Sequence, residues 1–323
     1  MRDPAPTTEA AALLAPRRLA VQLAGFAVGA ALLVWIIRKA IGEGEWDRVL
    51  HAAPLLVAGL IACTLTSAAT NGTIFFVTVR PLKRIGFWDL QRLNVVATLL
   101  NYAPIRLGAV TRVLYHLRVD GLGLLQIGAW FSLVGGIMIL GVASCGLATI
   151  VHPEVDWMWA LLVAGQLLLG GGAIRILGSI PLVARHGRGI DAMTIDRWSL
   201  WGAIALRTID LAAFAGRMAL AAAILEIHLE PRHTVLLALV ALTASLIPFG
   251  RVGFREFCVA VAAQRLGMLA GDVEANMNQL ALIESAGEVM VFVPLGLLGL
   301  GWLRKRWRAG QGGEQSGGTA PCR

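Results

Sequence analysis

The chain has 323 residues, of which 57% are hydrophobic and only 15% are charged, and its mean hydropathy is +0.71. This composition excludes an ordinary soluble domain and predicts an all-α polytopic membrane protein. The net charge is +8, but the Lys and Arg residues form short clusters between apolar runs, a pattern typical of membrane topology, so nucleic acid is not expected as a partner.

Six apolar runs reach about the 20 residues that a helix needs to cross the hydrocarbon core. The run that follows Arg17 and Arg18 has no small-residue cleavage site before Arg38, so we expect an uncleaved first helix rather than a signal peptide. The predicted spans are residues 19–37, 53–79, 124–151, 157–183, 199–224 and 277–302.

We expect a single transmembrane domain over residues 19–303, preceded by a polar N-terminal tail at 1–18. Its two halves are predicted at 53–151 and 199–303. Residues 304–323 form a C-terminal tail that begins with basic residues and continues into Gly- and Ser-rich sequence, a composition typical of disorder.

The second predicted span carries six polar side chains among its apolar ones. Small polar residues in a membrane helix are typical of a face that meets another helix rather than lipid, so we expect this face to pack against protein. The six residues are Thr64, Thr66, Ser67, Thr70, Asn71 and Thr73.

The cysteines and histidines lack the spacing of a disulfide framework or a metal site. Cys63, Cys145 and Cys258 lie in apolar runs, where a thiol behaves as a small hydrophobe. Residues 226–233 contain two Glu and two His, but without zinc-like spacing, so a solvated external loop is favoured. We expect neither a metal ion nor a cofactor.

Two further apolar segments are interrupted at their centres. In the first, Pro104, Arg106, Gly108 and Arg112 divide residues 90–117 into two halves. At 1.5 Å per residue, each half is too short to cross about 30 Å of hydrocarbon. Ionisable residues at membrane depth are costly and usually line a cavity or pathway, so this break is a candidate working site.

The second interruption has the same design. Apolar residues 234–246 lead into Pro248, Gly250, Arg251 and Gly253, and apolar residues resume after Glu256. The glycines and the proline break a helical pattern that would otherwise continue. When Gly108 of the first break is aligned with Gly253 of the second, both breaks contain Arg-x-Gly after a proline.

The basic residues indicate whether the broken segments cross the membrane. If neither crosses, most Lys and Arg lie on one side with both termini, as the positive-inside rule requires. If both cross, the basic loop at 185–197 lies outside. We therefore expect six spanning helices and two re-entrant hairpins that enter from opposite sides, which makes the halves an inverted repeat. Such repeats are associated with alternating-access transport.

At these breaks the sequence resembles the flippase-like membrane domain of the lysylphosphatidylglycerol synthase family. Members of that family have Pro-Gly-(Arg/Gly)-x-Gly-Glu-x-x-Arg in the first hairpin and Pro-Gly-Gly-x-Gly-x-x-Glu in the second. The resemblance extends from the second predicted span to the end of the chain. The matching residues are Pro104, Arg106, Gly108 and Arg112 in the first break and Pro248, Gly250, Gly253 and Glu256 in the second.

The chain departs from the family pattern at Ile105, Ala109, Phe249 and Arg251. Ala109 replaces a usual acidic residue, so a changed headgroup preference is expected. The family's full-length enzymes carry a soluble aminoacyl-transferase domain after the membrane part, and these 323 residues have no counterpart to it. The resemblance implies lipid translocation without synthesis, of an aminoacylated phospholipid or of a polyprenyl- or hopanoid-type lipid.

The predicted substrate site consists of both breaks and their flanks. A helix that begins inside a cavity offers unpaired N–H groups and a positive dipole end, which suit a phosphate. Gly108 and Gly253 stand where such half-helices begin, and neighbouring arginines would donate charge-assisted hydrogen bonds to a headgroup phosphate. The predicted substrate-binding residues are Arg106, Gly108, Arg112, Arg251, Gly253, Arg255 and Glu256.

Carboxylates in the predicted spans offer a second interpretation of these arginines. Glu284 and Glu288 are four residues apart, hence on one helix face, and Asp210 lies three residues after Arg207. They are either proton carriers that couple transport to a gradient or static counter-ions to Arg207, Arg217, Arg251 and Arg255.

These patterns predict a lipid transporter rather than an enzyme, in the bacterial inner membrane with both termini in the cytoplasm. It would move a membrane phospholipid or lipid-linked substrate between leaflets, with a second copy of the chain or a lipid-synthesis protein as partner. One alternative is an integral-membrane lipid or glycosyl transferase, although such enzymes usually need a metal-binding acidic cluster or a sizeable soluble loop. The other is an accessory subunit of a lipid-modifying complex.

Overall fold

The chain forms eleven helices and no strand within the residues that the computed structural model describes, which are 16–43, 49, 51–103, 107–181, 189–245, 253–266 and 273–315. This confirms the all-α prediction. In chain order the helices are α1 (Pro16–Glu43), α2 (Pro54–Val79), α3 (Phe87–Leu100), α4 (Leu107–Arg118), α5 (Leu124–Val151), α6 (Trp157–Ser179), α7 (Ile190–Ile195), α8 (Arg197–Ile224), α9 (Pro231–Ala244), α10 (Phe254–Arg265) and α11 (Val273–Gln315).

Among the described residues, four helices are long and apolar enough to cross a membrane, consistent with a multi-pass membrane protein. They are α2, α5, α6 and, within α11, Met277–Arg306. α1 and α8 each contain 28 residues, but the apolar part of α1 is the shorter segment Leu23–Arg38, and α8 carries buried charges at its centre. α11 continues through Gln315, beyond the predicted domain end at residue 303.

Local sequence sets several helix starts. Pro54 and Pro231 occupy the first turn of α2 and α9, where the missing N–H would have no intrahelical partner. Asp156 caps α6, because its carboxylate accepts from the backbone amides of Met158 and Trp159. The loops between long helices therefore end where the sequence supplies a cap or a proline.

The two interrupted segments form pairs of short helices, which we name hairpin 1 (α3 and α4) and hairpin 2 (α9 and α10). In both hairpins the first helix has 14 residues and the second has 12. At 1.5 Å per residue these are about 21 Å and 18 Å long. Within each hairpin the two helices pack on one another. The chain thus repeats one design, a long helix, a short helical pair and a second long helix.

α2 and α8 form the central seam of the fold and run antiparallel. A Cβ atom added at Gly59 of α2 would lie 3.2 Å from Leu220 of α8. Further along α2, Cys63 lies opposite Gly216, and Ser67 donates to Asp210 over 2.5 Å. At successive contacts the residue numbers rise along α2 and fall along α8. Small residues let the two backbones approach closely.

The helix contacts of one half correspond to those of the other. The halves are α2 to α5 and α8 to α11. α3 packs on α11 of the other half, and α9 correspondingly packs on α5. α2 also meets α11, as α8 meets α5, and each hairpin packs against the long helices before and after it. The corresponding helices α2 and α8, which begin the two halves, are antiparallel.

Hairpin 1 begins and ends at the same end of the fold. Its first helix runs antiparallel to α11, from Asp89, which accepts from Arg306 over 2.8 Å, to Leu99, which packs against Gly296. Its second helix returns, so that Tyr115 stacks near Trp302 with ring centroids 5.8 Å apart. The loops on either side of the hairpin also touch, since Lys83 donates to the carbonyl of Asp120.

Candidate functional site

The predicted site residues at the two hairpin tips lie outside the described residues. The structure describes the helices that lead to and from each tip, together with the remaining predicted residues. The undescribed predicted residues are Pro104, Arg106, Pro248, Gly250 and Arg251.

Four charged side chains from three helices meet in a buried group, which we name the ionic cluster. It consists of Arg217 of α8, Arg255 of α10, and Glu284 and Glu288 of α11, and each side chain is only 1–3% exposed. Both arginines pair with Glu284. Arg255 also bonds Glu288, whose carboxylate lies 3.8 Å from Arg217. Two positive and two negative charges make the cluster neutral when all four groups are ionised.

Helical spacing brings four α8 side chains, including the cluster member Arg217, to one face. Arg207, Asp210, Phe214 and Arg217 follow at intervals of three, four and three residues, which align on one side of a helix. The Phe214 ring centroid lies 4.1 Å from the Arg217 guanidinium carbon and 5.8 Å from that of Arg255. A cation over an aromatic face is attracted by the ring quadrupole, so Phe214 adds an uncharged support for both arginines.

The pairing within the ionic cluster depends on the charge of each member. Burial removes the hydration of all four groups, so each depends on its partners. Protonation of a carboxylate, or an incoming anion, would leave one arginine free to change partner. Such intramembrane charges commonly mark a pathway or relay. Here they connect α8, hairpin 2 and α11.

Glu256 closes the start of α10. Its carboxylate accepts from the Gly253 backbone amide over 2.8 Å and from the hydroxyl of Ser285 in α11. The first of these is the backward hydrogen bond of a capping box. Gly253 has φ of +85°, and a Cβ there would overlap the Gly29 carbonyl of α1. Only glycine fits this backbone and this close approach.

Arg207 and Asp210 form a second buried pair, at the seam between α2 and α8. The Arg207 guanidinium lies 2.5 Å from one Asp210 oxygen, and Ser67 of α2 donates to the other oxygen, also over 2.5 Å. The carboxylate therefore has both oxygens engaged, and the pair joins the two long helices that head the two halves.

In hairpin 1, Gly108 allows α3 and α4 to touch at the start of α4. A Cβ at this buried position would overlap the carbonyl oxygen of Ala97. One turn further on, Arg112 donates to the Asn94 side-chain oxygen over 2.7 Å, and its guanidinium carbon lies 4.2 Å from the Phe75 ring centroid. The two hairpins thus hold their arginines differently, one against an amide and one against carboxylates.

The two hairpins meet α11 from opposite ends. Hairpin 1 reaches Gly296 through Leu99, and hairpin 2 reaches Glu288 through Arg255. These α11 positions are eight residues apart, about 12 Å of helical rise. The tips themselves lie outside the described residues, so their meeting near the middle of the fold stays a prediction.

Sequence reasoning did not assign several residues that shape these contacts. Arg217 is expected only as one of several arginines that the carboxylates would neutralise, and its own partners, Glu284 and Glu288, are not singled out. Asn94 is a lone amide in an apolar run. Phe214 and Ser285 give no distinguishing signal in a single sequence, since aromatic and small polar residues are common in membrane helices.

One group of potential metal ligands lies in the exposed loop before α6. His152, Glu154 and Asp156 place ligand atoms within 4.8 Å of one another. Asp156 already caps α6, and the Trp159 amide, aided by the His152 side chain, holds the pKa of Asp156 below its ordinary value. Hydrogen bonds to the charged form have this effect. The group has a structural use, and metal binding stays unexpected.

No known protein family, curated protein or solved structure matches this chain. A function for the chain is therefore inferred from the geometry of its own residues.

Proposed function

We propose that this protein is a membrane transporter that moves a phosphate-bearing lipid between leaflets by alternating access. The observation that carries the proposal is the correspondence between the halves, whose leading helices α2 and α8 run antiparallel along Gly59–Leu220 and Ser67–Asp210. Inverted repeats that place a binding site between broken helices are a recurring transporter design.

In this proposal α1, α2, α5, α6, α8 and α11 cross the membrane, and the two hairpins are re-entrant. The lengths of the hairpin helices, 14 and 12 residues, support re-entrance because neither covers about 30 Å. The contact between Lys83 and the Asp120 carbonyl supports it further, since both ends of hairpin 1 lie together. The basic end of α11 then lies in the cytoplasm with the N-terminus.

The outer surface of α6 is apolar, as expected for a surface that contacts lipid. α6 exposes large apolar side chains along most of its length, including Leu161, Leu168, Leu169 and Ile176. In water such a surface would be a strong aggregation hazard, whereas in a bilayer it is the normal surface of a spanning helix. A bacterial inner membrane is the location that this proposal adopts.

The charged groups supply the polar path. Arg112, with Arg106 and Arg251 at the tips, would meet a headgroup phosphate, because guanidinium binds phosphate through paired hydrogen bonds. The ionic cluster would hold hairpin 2 until a proton or the headgroup changes its charge. Glu284 and Glu288 are then the coupling groups, and Asp210 fixes Arg207 at the central seam.

Reconstitution tests the proposal. The purified protein is placed in liposomes that contain a fluorescent phospholipid, and an impermeant quencher reports how much lipid changes leaflet. The wild-type protein should accelerate translocation over empty liposomes, and Arg251→Gln should abolish it with unchanged folded yield. Arg92→Gln, on the exposed face of α3, is the matched control and should transport normally. Equal translocation with Arg251→Gln would remove the headgroup role.

An imposed pH gradient tests the coupling. If Glu284 or Glu288 carries protons, an inward gradient should change the translocation rate in wild-type liposomes. The Glu288→Gln variant should lose that response. Translocation indifferent to the gradient in the wild-type protein would exclude proton coupling and leave both carboxylates as counter-ions.

A further inference from the structure

Arg112 is half-buried and differs in its partners from the fully buried arginines of the described chain. Arg207, Arg217 and Arg255 each pair with a carboxylate. Arg112, on α4, lies instead against the Asn94 amide oxygen and the face of Phe75. No carboxylate of the described residues lies within ion-pairing distance of it, so its positive charge is not neutralised there.

Asn94 is oriented so that its amide oxygen faces Arg112. Its amide nitrogen donates to the Ala68 carbonyl of α2 over 3.3 Å, which turns its oxygen toward Arg112. That oxygen accepts from one of the five N–H donors of the guanidinium. A guanidinium presents these donors as a planar fork, a geometry that suits a phosphate.

His116, one helical turn after Arg112, supplies a second unused polar group. Its ring is fully buried, and Nδ1 lies 2.6 Å from the Asp120 carboxylate. A carboxylate accepts hydrogen bonds, so Nδ1 carries the hydrogen. The other ring nitrogen, Nε2, is buried and makes no hydrogen bond to any residue that the structure describes. Buried polar atoms without a partner are rare and call for an explanation.

Both groups line one narrow crevice between hairpin 1 and α2. The crevice is lined by Phe75, Leu90, Leu93, Asn94, Arg112 and His116. It is too narrow in this conformation to admit a water molecule, so a ligand must part its walls. It lies near the base of hairpin 1, where Tyr115 meets Trp302 of α11, which is headgroup depth in the proposed topology.

We propose that this crevice is a phosphodiester site, in which Arg112 and the protonated Nε2 of His116 bind the anionic phosphate of a lipid headgroup. Asn94 fixes the guanidinium and Asp120 fixes the imidazole. The inference rests on the proposed function only in naming a lipid as the source of the phosphate. Each bound phosphodiester takes up one proton from solution, because neutral His116 presents a lone pair at Nε2 that repels an anion.

Burial and the charged groups around His116 determine the pH dependence. Burial is the largest effect and disfavours the protonated ring, Asp120 favours it, and Arg112 opposes it. The neighbouring residues from α2, α3 and α5 carry no charge: they are Phe75, Leu90, Leu93, Asn94 and Trp130. A bound phosphate adds a negative charge beside the ring, so binding and protonation favour one another. Affinity therefore rises as the pH falls.

Calorimetric titration of the full-length protein in maltoside micelles tests this site. The probe is dihexanoylphosphatidylglycerol, titrated at pH 5.5 and pH 8. The wild-type protein should bind at least about tenfold more tightly at pH 5.5, the factor that corresponds to 1.4 kcal/mol. Arg112→Gln should weaken binding at both pH values, and His116→Gln should remove the pH dependence. Arg92→Gln, on the same hairpin but exposed, should match the wild type.

Further arms identify the ligand and separate the two proposals. Dihexanoylglycerol, which lacks the phosphate, should not bind, and inorganic phosphate should bind far more weakly than the phospholipid. Equal affinity for inorganic phosphate would overturn the lipid source. Wild-type binding by Arg112→Gln, or an unchanged pH dependence in His116→Gln, would overturn the site. If Arg112→Gln does not fold, the His116→Gln arm decides alone. Intact binding without translocation in liposomes would leave the site standing and reject the transporter.

Discussion

Arg255, at the start of α10, bonds Glu288 of α11, and both side chains are almost completely buried. This pair connects hairpin 2 to the long helix that both hairpins approach. Arg217 and Glu284 complete a neutral group of four charges. The position of hairpin 2 on α11 therefore depends on a balance of buried charge rather than on apolar packing alone.

Removal of one charge from this group should lower the free energy of unfolding more than removal of two opposite charges. Arg255→Gln leaves a buried carboxylate without its main partner and should cost about 3–5 kcal/mol of unfolding free energy. The double variant Arg255→Gln/Glu288→Gln restores neutrality and should recover part of that loss. Unfolding in detergent measures both. Arg306→Gln, which breaks the exposed pair with Asp89, is the control and should change stability by no more than about 1 kcal/mol. Additive losses in the double variant would contradict the coupling.

The junction between hairpin 2 and α1 should depend on Gly253. Gly253→Ala forces a side chain into a backbone conformation with φ of +85° and into the Gly29 carbonyl. The conformational term alone costs roughly 1–2 kcal/mol, so we expect a clear loss of thermal stability. Gly202→Ala in α8, where a Cβ would meet no atom within 4 Å, should be neutral or stabilising. A Gly253→Ala variant as stable as Gly202→Ala would reject the close approach.

The antiparallel register of α2 and α8 can be locked chemically. A Cβ at Gly216 would lie 3.2 Å from the Cys63 sulfur, close enough for a disulfide. Gly216→Cys should therefore oxidise with Cys63, and mass spectrometry after alkylation should find two alkylated thiols fewer than in the reduced protein. Gly202→Cys, on the same helix, should stay reduced. A free thiol at position 216 under the same oxidation would argue against this register.

The first turn of α6 should depend on the Asp156 cap, and this cap should persist at neutral pH. The Trp159 amide holds the pKa of Asp156 below its ordinary value. A lowered pKa means that the cap's contribution is complete above the ordinary carboxyl range and is lost only as the pH falls through the lowered value. Asp156→Ala should speed hydrogen exchange at Met158 and Trp159 at pH 7, whereas Asp156→Asn, which also caps helices, should not. Exchange as slow in Asp156→Ala as in Asp156→Asn would mean that the cap does not stabilise the start of α6.

Much of the fold follows from the sequence because the bilayer restricts the choices. Apolar length identifies the long helices, and the polar residues of α2 meet protein in part, since Thr64, Ser67 and Thr70 are buried whereas Thr66 is exposed. The alignment of Gly108 with Gly253 holds in the structure as well, because each glycine lies where the second helix of a hairpin begins.

The ionic cluster could be predicted only in part. Spacing brings Glu284 and Glu288 to one face of α11. The sequence allows Arg217 and Arg255 as their counter-charges but does not single them out among the arginines, because that depends on how three helices cross. The same limit applies to Asn94 and Arg112, which lie 18 residues apart on two helices. Pairing between elements is a tertiary property, and a single sequence carries little record of it.

The account depends most on the two hairpins entering the membrane from opposite sides. Single cysteines at Arg84 and Arg118 mark the two ends of hairpin 1, and cysteines at Glu230 and Leu266 mark the ends of hairpin 2, in a protein without its native cysteines. An impermeant maleimide is applied to intact cells and to permeabilised cells. We predict labelling at 230 and 266 in intact cells, and at 84 and 118 only after permeabilisation. Labelling of just one end of either hairpin in intact cells would show that the segment crosses the membrane and would contradict the inverted repeat.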